Sequence, residues 1–335
     1  MQTKLIDSSE LVLAAELIRQ GETVVFPTET VYGLGADAMN PSAVQKIFAA
    51  KNRPADNPLI VHIASLDMIS YATSDFPPMA RRLAEAFMPG PITLVLQKSE
   101  AIPSAVSAGL PTVGVRCPKC EIAREFIRLC GTPIAAPSAN VSGAVSATTF
   151  ADVKRELTGR VAGIIRGEDC EFGIESTVVD VTKNAPAVLR PGSITLEMLR
   201  AVIPSAVVHP SLVTDVTEER PASPGMKYKH YSPDAEVILV YGEMEHILSY
   251  FEKHLGQKEC LFLFSEEYPD FSNNKMLLGS RQDLNEMAHL IFKSLRQADL
   301  MGYQSVYIPA VAEEGIGFSI MNRLKISSGG KVMYL

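Results

Sequence analysis

The stretch TVVFPTETVYGLGADA (23–38) indicates an α/β fold with a binding site at the end of a strand. Its β-branched start predicts a strand that ends at Pro27, and two threonine hydroxyls, a carboxylate and a phenol follow at once. Ligands of open α/β sheets bind beyond the carboxyl ends of strands, so this polar loop predicts part of a site. A plain polar turn with a packed tyrosine is the alternative. We expect the glycines after the loop to permit tight turns.

The glycines of GLGADA (33–38) have the spacing of a dinucleotide fingerprint but lack its context. That fingerprint needs a strand directly before the glycines and a helix directly after them. Here PTETVY intervenes on one side, and the next helix cap on the other side is Asn40. The pattern therefore argues against a nicotinamide site. The sequence also contains no GxxxxGK[ST], GxSxG or HExxH motif.

Apolar strands alternate with amphipathic helices along the rest of the chain. Further strands are predicted at 59–63, 92–97, 112–116, 134–137, 176–181, 187–190, 237–241, 260–264 and 305–309. Helices are predicted from Ser8 or Ser9 to Gly21, from Asn40 onward, and at 78–87, 120–129, 148–157, 195–202, 243–255, 283–299 and 316–325. The regular rhythm after the linker predicts parallel βαβ units. We therefore expect a larger mixed α/β domain at 1–208, a linker at 209–233, and a smaller Rossmann-like domain at 234–335.

Composition favours a soluble, cytoplasmic protein of two domains. The 335 residues exceed one ordinary core, no apolar run reaches the ~18 residues of a membrane span, and five cysteines do not suit a secreted disulfide framework. We expect no signal peptide, because the first residues lack an apolar h-region. The net charge of −7 does not suit a dedicated nucleic-acid binder, so any anion site must be a local cluster.

Cations and hydroxyl groups occur at the ends of several predicted strands and helices of the first domain. The cations and the histidine are Lys51, Arg53, His62, Arg116 and Arg190, and the loop APSANVSG (136–143) adds hydroxyls and backbone N–H groups. Taken singly, each is as easily a helix-end charge, a core histidine or a bland loop. Together they predict an anion pocket that acts by holding and neutralising phosphates, as in phosphoryl or nucleotidyl transfer.

The motif CPKC (117–120) has the spacing of a redox or zinc pair. A structural zinc site needs four ligands, and no second pair of this kind occurs. A redox pair stays open as a hypothesis. We favour the simpler reading, two small residues at the start of a helix.

Seven segments, in this order, resemble the YrdC family: FPTETVYGLG, the KxR of KNRPADNPLIVHI, PGPITLVL, TVGVRCP, PSANVSG, ESTVVD and LRPGSIT. With SPGMKYKHYSP (223–233) and the second domain, the chain is similar to the long, two-domain form of that family. The resemblance implies a twisted sheet with a basic, concave cleft. It also implies synthesis of threonylcarbamoyl-AMP and pyrophosphate from L-threonine, bicarbonate and ATP, with Mg²⁺ carried on ATP. Other proteins would pass the product to an adenosine beside the anticodon of tRNA, so tRNA contact would be indirect or weak.

The resemblance also implies roles for individual residues. L-threonine would be held by Thr30, His62, Arg116, Ser176 and the backbone around Ala136. ATP would be held by Lys51, Arg53, Asn57, Thr112, Ser138, Asn140, Ser146, Arg190 and Tyr231. Within this set, Lys51 and Arg53 would be catalytic, because they neutralise phosphate charge. No residue is assigned as a general base.

The segment 223–233 is expected to be a lid over the nucleotide, with Lys227, His230 and Tyr231 facing it. A closed lid would exclude water from a hydrolysable mixed anhydride. Lys227 stands where the family often has Arg, which keeps the charge but loses the planar fork. A linker that merely docks on the surface is the alternative.

Two other functions fit part of the pattern. An RNA-binding or ribosome-associated module could use the same cations, although the net charge and the lack of an aromatic stacking platform argue against it. A carbamoyltransferase of hydrogenase maturation shares the YrdC-like module, but it would need acylphosphatase-like and zinc-finger regions that this chain lacks. The role of the second domain and the oligomeric state do not follow from the sequence.

Overall fold

The computed structural model describes residues 2–213 and 231–335, which form two compact units. Within these ranges the first unit comprises 2–142, 147–171 and 175–213, and the second comprises 143–146, 172–174 and 231–335. The lid residues Lys227 and His230 lie outside the described residues. The domain boundaries proposed from the sequence stay a prediction. No helix in the described ranges has the length and apolarity needed to cross a bilayer.

The first unit is built on one sheet of eleven strands that runs in both directions, which confirms the predicted mixed α/β architecture. Its strands are β1 (Lys4–Ile6), β2 (Val24–Phe26), β3 (Gly33–Asp37), β4 (Ile60–His62), β5 (Ile92–Gln97), β6 (Thr112–Arg116), β7 (Ile134–Ala136), β8 (Gly163–Ile165), β9 (Thr177–Asp180), β10 (Ala187–Arg190) and β11 (Val207–Val208). They lie in the order β1-β8-β2-β3-β7-β4-β6-β5-β9-β10-β11.

Eight helices of the described residues cover this sheet. They are α1 (Leu11–Arg19), α2 (Pro41–Lys51), α3 (Ile69–Ala72), α4 (Pro78–Phe87), α5 (Ser104–Ser107), α6 (Glu121–Cys130), α7 (Phe150–Leu157) and α8 (Leu196–Val202). Helix α2 begins as its sequence predicts: the Asn40 side chain accepts hydrogen bonds from the N–H groups of Ser42 and Ala43, and Pro41 occupies the first turn.

The two faces of the sheet are distinguished by the alternation of side chains along each strand. Val25 packs into a large core with the apolar faces of α2, α4, α7 and α8. Its neighbours Val24 and Phe26 pack on the opposite face, in a smaller core with α1 and α6. Val61 and Val115 share the face of Val25, so the residues beside them on β4 and β6 point to the opposite one. We call this opposite face the site face.

The glycines after the polar loop were expected to make tight turns, and this was wrong. Gly33 and Gly35 lie inside β3, which pairs antiparallel with β2 so that Phe26 is opposite Gly33. A Cβ atom on Gly33 would stand 2.9 Å from Cζ of Phe26. Glycine is needed there because an aromatic ring crosses the strand.

The second unit contains a parallel sheet of five strands, in agreement with the predicted Rossmann-like domain. The strands are β12 (Glu236–Tyr241), β13 (Glu259–Leu263), β14 (Lys275–Leu277), β15 (Ser305–Pro309) and β16 (Val332–Tyr334), in the order β14-β13-β15-β12-β16. The helices are α9 (Met244–His254), α10 (Leu284–Leu300) and α11 (Ile316–Ser328). Strands β14 and β16 were not predicted from the sequence.

Candidate functional site

The polar loop between β2 and β3 is buried and held by its own side chains. Thr28 Oγ1 accepts hydrogen bonds from the N–H groups of Thr30 and Val31 and donates to the Val31 carbonyl. Tyr32 is fully buried, and its hydroxyl donates to the Glu168 carbonyl (3.1 Å). The loop is therefore a fixed part of the structure, and the tyrosine anchors it.

His62 and Arg116 lie beside each other on the site face. They are register partners at the ends of the parallel strands β4 and β6. The guanidinium of Arg116 donates to Thr30 Oγ1 (2.9 Å) through Nη1 and forms an ion pair with Glu29 (2.5 Å) through Nη2. Arg116 Nε is buried and has no hydrogen-bond partner in the described part of the chain. We call Arg116, Glu29, Thr30 and His62 the first cluster. Its hydrogen-bond donor is the guanidinium of Arg116, which Glu29 and Thr30 hold in one orientation.

His62 complements that donor with an acceptor. Its Nδ1 lies 3.2 Å from the Ile60 carbonyl, and a carbonyl can only accept, so we assign the ring proton to Nδ1. Burial, together with the charge of Arg116, lowers the pKa of His62 from 6.5 to about 3. The ring is therefore neutral near pH 7, and Nε2 carries a lone pair.

Lys51, at the end of α2, joins two of the predicted motifs. It is almost completely buried, and its ammonium donates to the carbonyls of Ser138 and Asn140. The N–H of Ser142 donates to the Lys51 carbonyl (2.8 Å). The KxR segment and the SxN loop, about 90 residues apart in sequence, are thereby brought together in one place.

Arg53 and Asn57 lie in the turn that follows α2. Arg53 Nη2 donates to the Pro58 carbonyl (3.2 Å), which folds the side chain back over the turn. Asn57 is buried, and its Oδ1 lacks a hydrogen-bond partner among the described residues. Both residues keep polar groups in a buried position beside Lys51's helix.

Ser176 and Arg190 form a second cluster with Thr93. Ser176 Oγ lies 2.8 Å from Thr93 Oγ1, and Arg190 donates to both the hydroxyl and the carbonyl of Ser176 (3.1 Å each). Thr93 lies between two core residues of β5 and therefore points to the site face. The cation of Arg190 is thus held against the buried Ser176 hydroxyl, which in turn contacts the hydroxyl of Thr93.

A β-bulge directs Arg190 onto the site face. Val188 pairs with Val179 in the large core, but the next register pair is Arg190 with Val178, so Leu189 is an extra residue. Val178 and Leu189 pack together outside the large core, and Arg190 lies opposite Val178. Ordinary alternation would have given Arg190 the core face of Val188.

Comparisons with known proteins agree with this arrangement. A family model described as "Telomere recombination" matches residues 16–192, and one described as "Threonylcarbamoyl-AMP synthase, C-terminal domain" matches residues 194–329. The threonylcarbamoyl-AMP synthase of Pyrococcus abyssi is 42% identical over 98% of this chain and 96% of its own length. The threonylcarbamoyl-AMP synthase of Bacillus subtilis is 40% identical over 97% and 94%.

The chain belongs to the threonylcarbamoyl-AMP synthase family. The crystal structure of Pyrococcus abyssi Sua5 complexed with L-threonine resembles it with a TM-score of 0.91 and 39% identity, covering all of both chains. The resemblance stated from the motifs is thereby confirmed, together with the two-domain form.

Other residues that the family resemblance proposed lie as follows. Thr112 begins β6 on the site face, since Val113 and Val115 point into the large core. Ala136 ends β7, and Ile60 of β4 is its register partner. Ser146 and Tyr231 are residues of the second unit, where both are buried and the Tyr231 ring stacks on Phe292 at 5.3 Å between centroids. The proposed ligand contacts of all these residues stay predictions.

Glu29 and Thr93 contact site residues but were not proposed from the sequence. Glu29 lies inside the polar loop that the sequence predicts to be part of a site. A carboxylate between two apolar strands could have indicated that Glu29 has a buried partner. Thr93 offered a weaker signal: a threonine within the otherwise aliphatic run ITLVL.

The CPKC motif takes the structural role that the sequence analysis favoured. Cys120 is the N-cap residue of α6, and all five cysteines are free thiols. Burial raises the pKa of the Cys117 thiol to about 11, in spite of the Arg124 charge. The reactive thiolate form is therefore disfavoured at neutral pH.

Proposed function

We propose that this protein is an L-threonylcarbamoyladenylate synthase, which converts L-threonine, bicarbonate and ATP into threonylcarbamoyl-AMP and pyrophosphate. The observation that carries the proposal is that the first unit holds two groups of polar residues. In one, the Arg116 guanidinium contacts Thr30 and lies beside the neutral His62. In the other, Lys51 binds the SxN loop. Full-length relatives named for this activity, and a similar structure with L-threonine bound, support it.

The amino-acid end of the site is Arg116 with its neighbours. A guanidinium is the natural partner of a carboxylate, and Arg116 Nε–H makes no hydrogen bond to the described residues while Nη1 and Nη2 donate to Thr30 and Glu29. His62 Nε2 would accept a hydrogen bond from the threonine hydroxyl or amine. In this arrangement Ser176 and the backbone near Ala136 would complete the pocket.

The nucleotide end of the site supplies positive charge. The threonine nitrogen forms a bond to the bicarbonate carbon with loss of water, and a carbamate oxygen then attacks the α-phosphorus of ATP as the bond to pyrophosphate breaks. Lys51, Arg53 and Arg190 would neutralise the phosphates as charge develops. Asn57, Thr112, Ser138 and Asn140 would contribute hydrogen bonds. The contacts expected of Ser146 and of the lid residues Lys227, His230 and Tyr231 stay predictions.

Mg²⁺ would arrive with ATP. Its preferred ligands are oxygens, and it usually keeps water and binds through substrate phosphates. The described residues include no group of three or more His, Cys, Asp or Glu side chains able to hold a metal. The ion would supply additional charge neutralisation at the phosphates.

The product is a mixed anhydride that water would destroy, so a cytoplasmic protein that transfers the threonylcarbamoyl group to tRNA is the expected recipient.

The test of the proposed function is pyrophosphate release from ATP and Mg²⁺, with L-threonine and bicarbonate omitted in turn. We expect release only with both, together with a new adenylate on chromatography. Release without threonine would contradict the substrate assignment. An absence of release, with tight binding of tRNA, would instead favour the RNA-binding alternative.

A further inference from the structure

Glu29 is a buried carboxylate with no role in the mechanism above. It is 5% exposed, and it lies in the polar loop between β2 and β3. One oxygen, Oε1, accepts from Arg116 Nη2 (2.5 Å), and the other, Oε2, accepts from the backbone N–H of Cys120 (3.2 Å). A single side chain thus uses both of its oxygens on groups that lie about 90 residues away in sequence.

These two contacts hold both ends of one short turn. Arg116 is the last residue of β6, and Cys120 is the N-cap residue of α6. The Cys120 side chain makes no capping hydrogen bond, so Glu29 supplies the anion that a helix N-terminus favours. The CPKC turn between strand and helix is therefore fastened to the polar loop by one carboxylate.

The ion pair between Glu29 and Arg116 also balances the buried charge of the guanidinium. Arg116 is 4% exposed, and an unpaired buried guanidinium would be strongly unfavourable. Burial alone would raise the pKa of Glu29, but the charge and hydrogen bonds of Arg116 outweigh it and leave the pKa below its usual value. With His62 neutral, the three titratable side chains of this cluster have a net charge of zero near pH 7.

We propose that Glu29 is a positioning residue of the amino-acid site, which orients Arg116 and makes the site select a zwitterion. A ligand with a carboxylate but no amine would bring an uncompensated negative charge beside Glu29. The ammonium group of an amino acid cancels that charge. The site would therefore prefer L-threonine to its analogue without the amine, 3-hydroxybutyrate. This charge balance would add to the preference that direct contacts of the amine provide. This inference rests on the proposed function.

The test is calorimetric binding of L-threonine, (R)-3-hydroxybutyrate and ATP to the full chain. Wild type, Glu29→Gln and the control Glu22→Gln would be compared. The control removes a carboxylate of the same unit from a more exposed ion pair with Lys46. In Glu29→Gln we expect threonine affinity to fall about 10- to 100-fold, because Arg116 loses its partner. The preference for threonine over 3-hydroxybutyrate should shrink at least about fivefold, with ATP affinity within about twofold of wild type. The control should match wild type.

A Glu29→Gln variant that keeps the wild-type preference would overturn the inference. If wild type itself fails to bind threonine, the proposed function fails instead, and the two outcomes are distinct. Circular dichroism and thermal unfolding would show whether the variant folds. Should it not, Glu29→Asp provides the second test. It keeps the charge but is one methylene too short to reach both partners, so it should retain the preference while threonine affinity falls. Loss of the preference in Glu29→Asp would contradict the charge argument.

Discussion

His62 and Arg116 are register partners on parallel strands, and this places a neutral imidazole beside a buried guanidinium. The pKa of His62 is about 3 in the folded protein and near 6.5 in the unfolded chain, so the unfolded state binds the extra proton between these values. The contribution of His62 to stability is therefore complete above pH 6.5. It declines as pH falls towards 3, by up to about 1.4 kcal/mol per pH unit.

Replacement of His62 by Asn should remove that pH dependence. We expect the free energy of unfolding of wild type, measured with urea, to fall between pH 7.5 and pH 5.5 by more than that of His62→Asn. The interval stays above the range in which carboxyl groups titrate. Equal losses in the two proteins would show that folding does not lower the pKa of His62.

Replacement of Lys51 by Met should abolish most activity while sparing the amino-acid site. The buried ammonium holds the carbonyls of Ser138 and Asn140, and its loss removes both the loop anchor and the proposed phosphate partner. We expect pyrophosphate release to fall at least about 100-fold, with threonine binding changed less than about threefold. The control is Lys46→Met on the same helix, which loses only a partly exposed ion pair and should remain near wild type.

The hydroxyl pair of Thr93 and Ser176 should behave as one unit. The Ser176 hydroxyl accepts from the guanidinium of Arg190 and lies 2.8 Å from the Thr93 hydroxyl, so removing either hydroxyl disturbs the same hydrogen-bonded chain. We expect Thr93→Val and Ser176→Ala each to lower kcat/KM about 5- to 20-fold, and the double variant to be little worse than the poorer single one. Fully additive losses in pyrophosphate release would indicate independent roles.

Gly33 should tolerate no side chain while Phe26 is present. A methyl group there would stand 2.9 Å from the Phe26 ring, so Gly33→Ala should lower the free energy of unfolding by about 1–3 kcal/mol. In the background of Phe26→Leu, which shortens the obstructing side chain, the additional loss should be smaller. Urea unfolding of the four proteins measures this coupling. An equal loss in both backgrounds would mean that backbone freedom, and not the ring, requires glycine.

Periodicity was sufficient for most of the fold. Each predicted helix has a counterpart within a few residues, and the strands 176–181 and 187–190, judged close enough to pair, form the antiparallel pair β9 and β10. Strand β3 was missed because GLGAD contains no β-branched residue, and its place in the sheet comes from the Phe26 ring against the glycines. Strand β3 therefore forms because of tertiary packing, which a local sequence pattern does not show.

Residue types at strand ends identified side chains that the structure brings together, but they did not indicate the contacts between them. The sequence identified Lys51 and the SxN loop as separate features, and their junction is a contact across almost 90 residues. Glu29 was counted among the polar groups of its loop without a partner, because nothing local indicates that Arg116 and Cys120 lie beside it.

The extra residue in β10 makes this part of the chain sensitive to length as well as to composition. The connector before β10 includes the exposed residues Lys183 and Asn184, where an insertion or deletion would leave the pairing of β9 with β10 unchanged. Deletion of one residue within 188–190 would restore simple alternation and turn the guanidinium of Arg190 towards apolar side chains. Over evolution, related chains should therefore vary in the length of the connector while keeping the residue count of the strand constant.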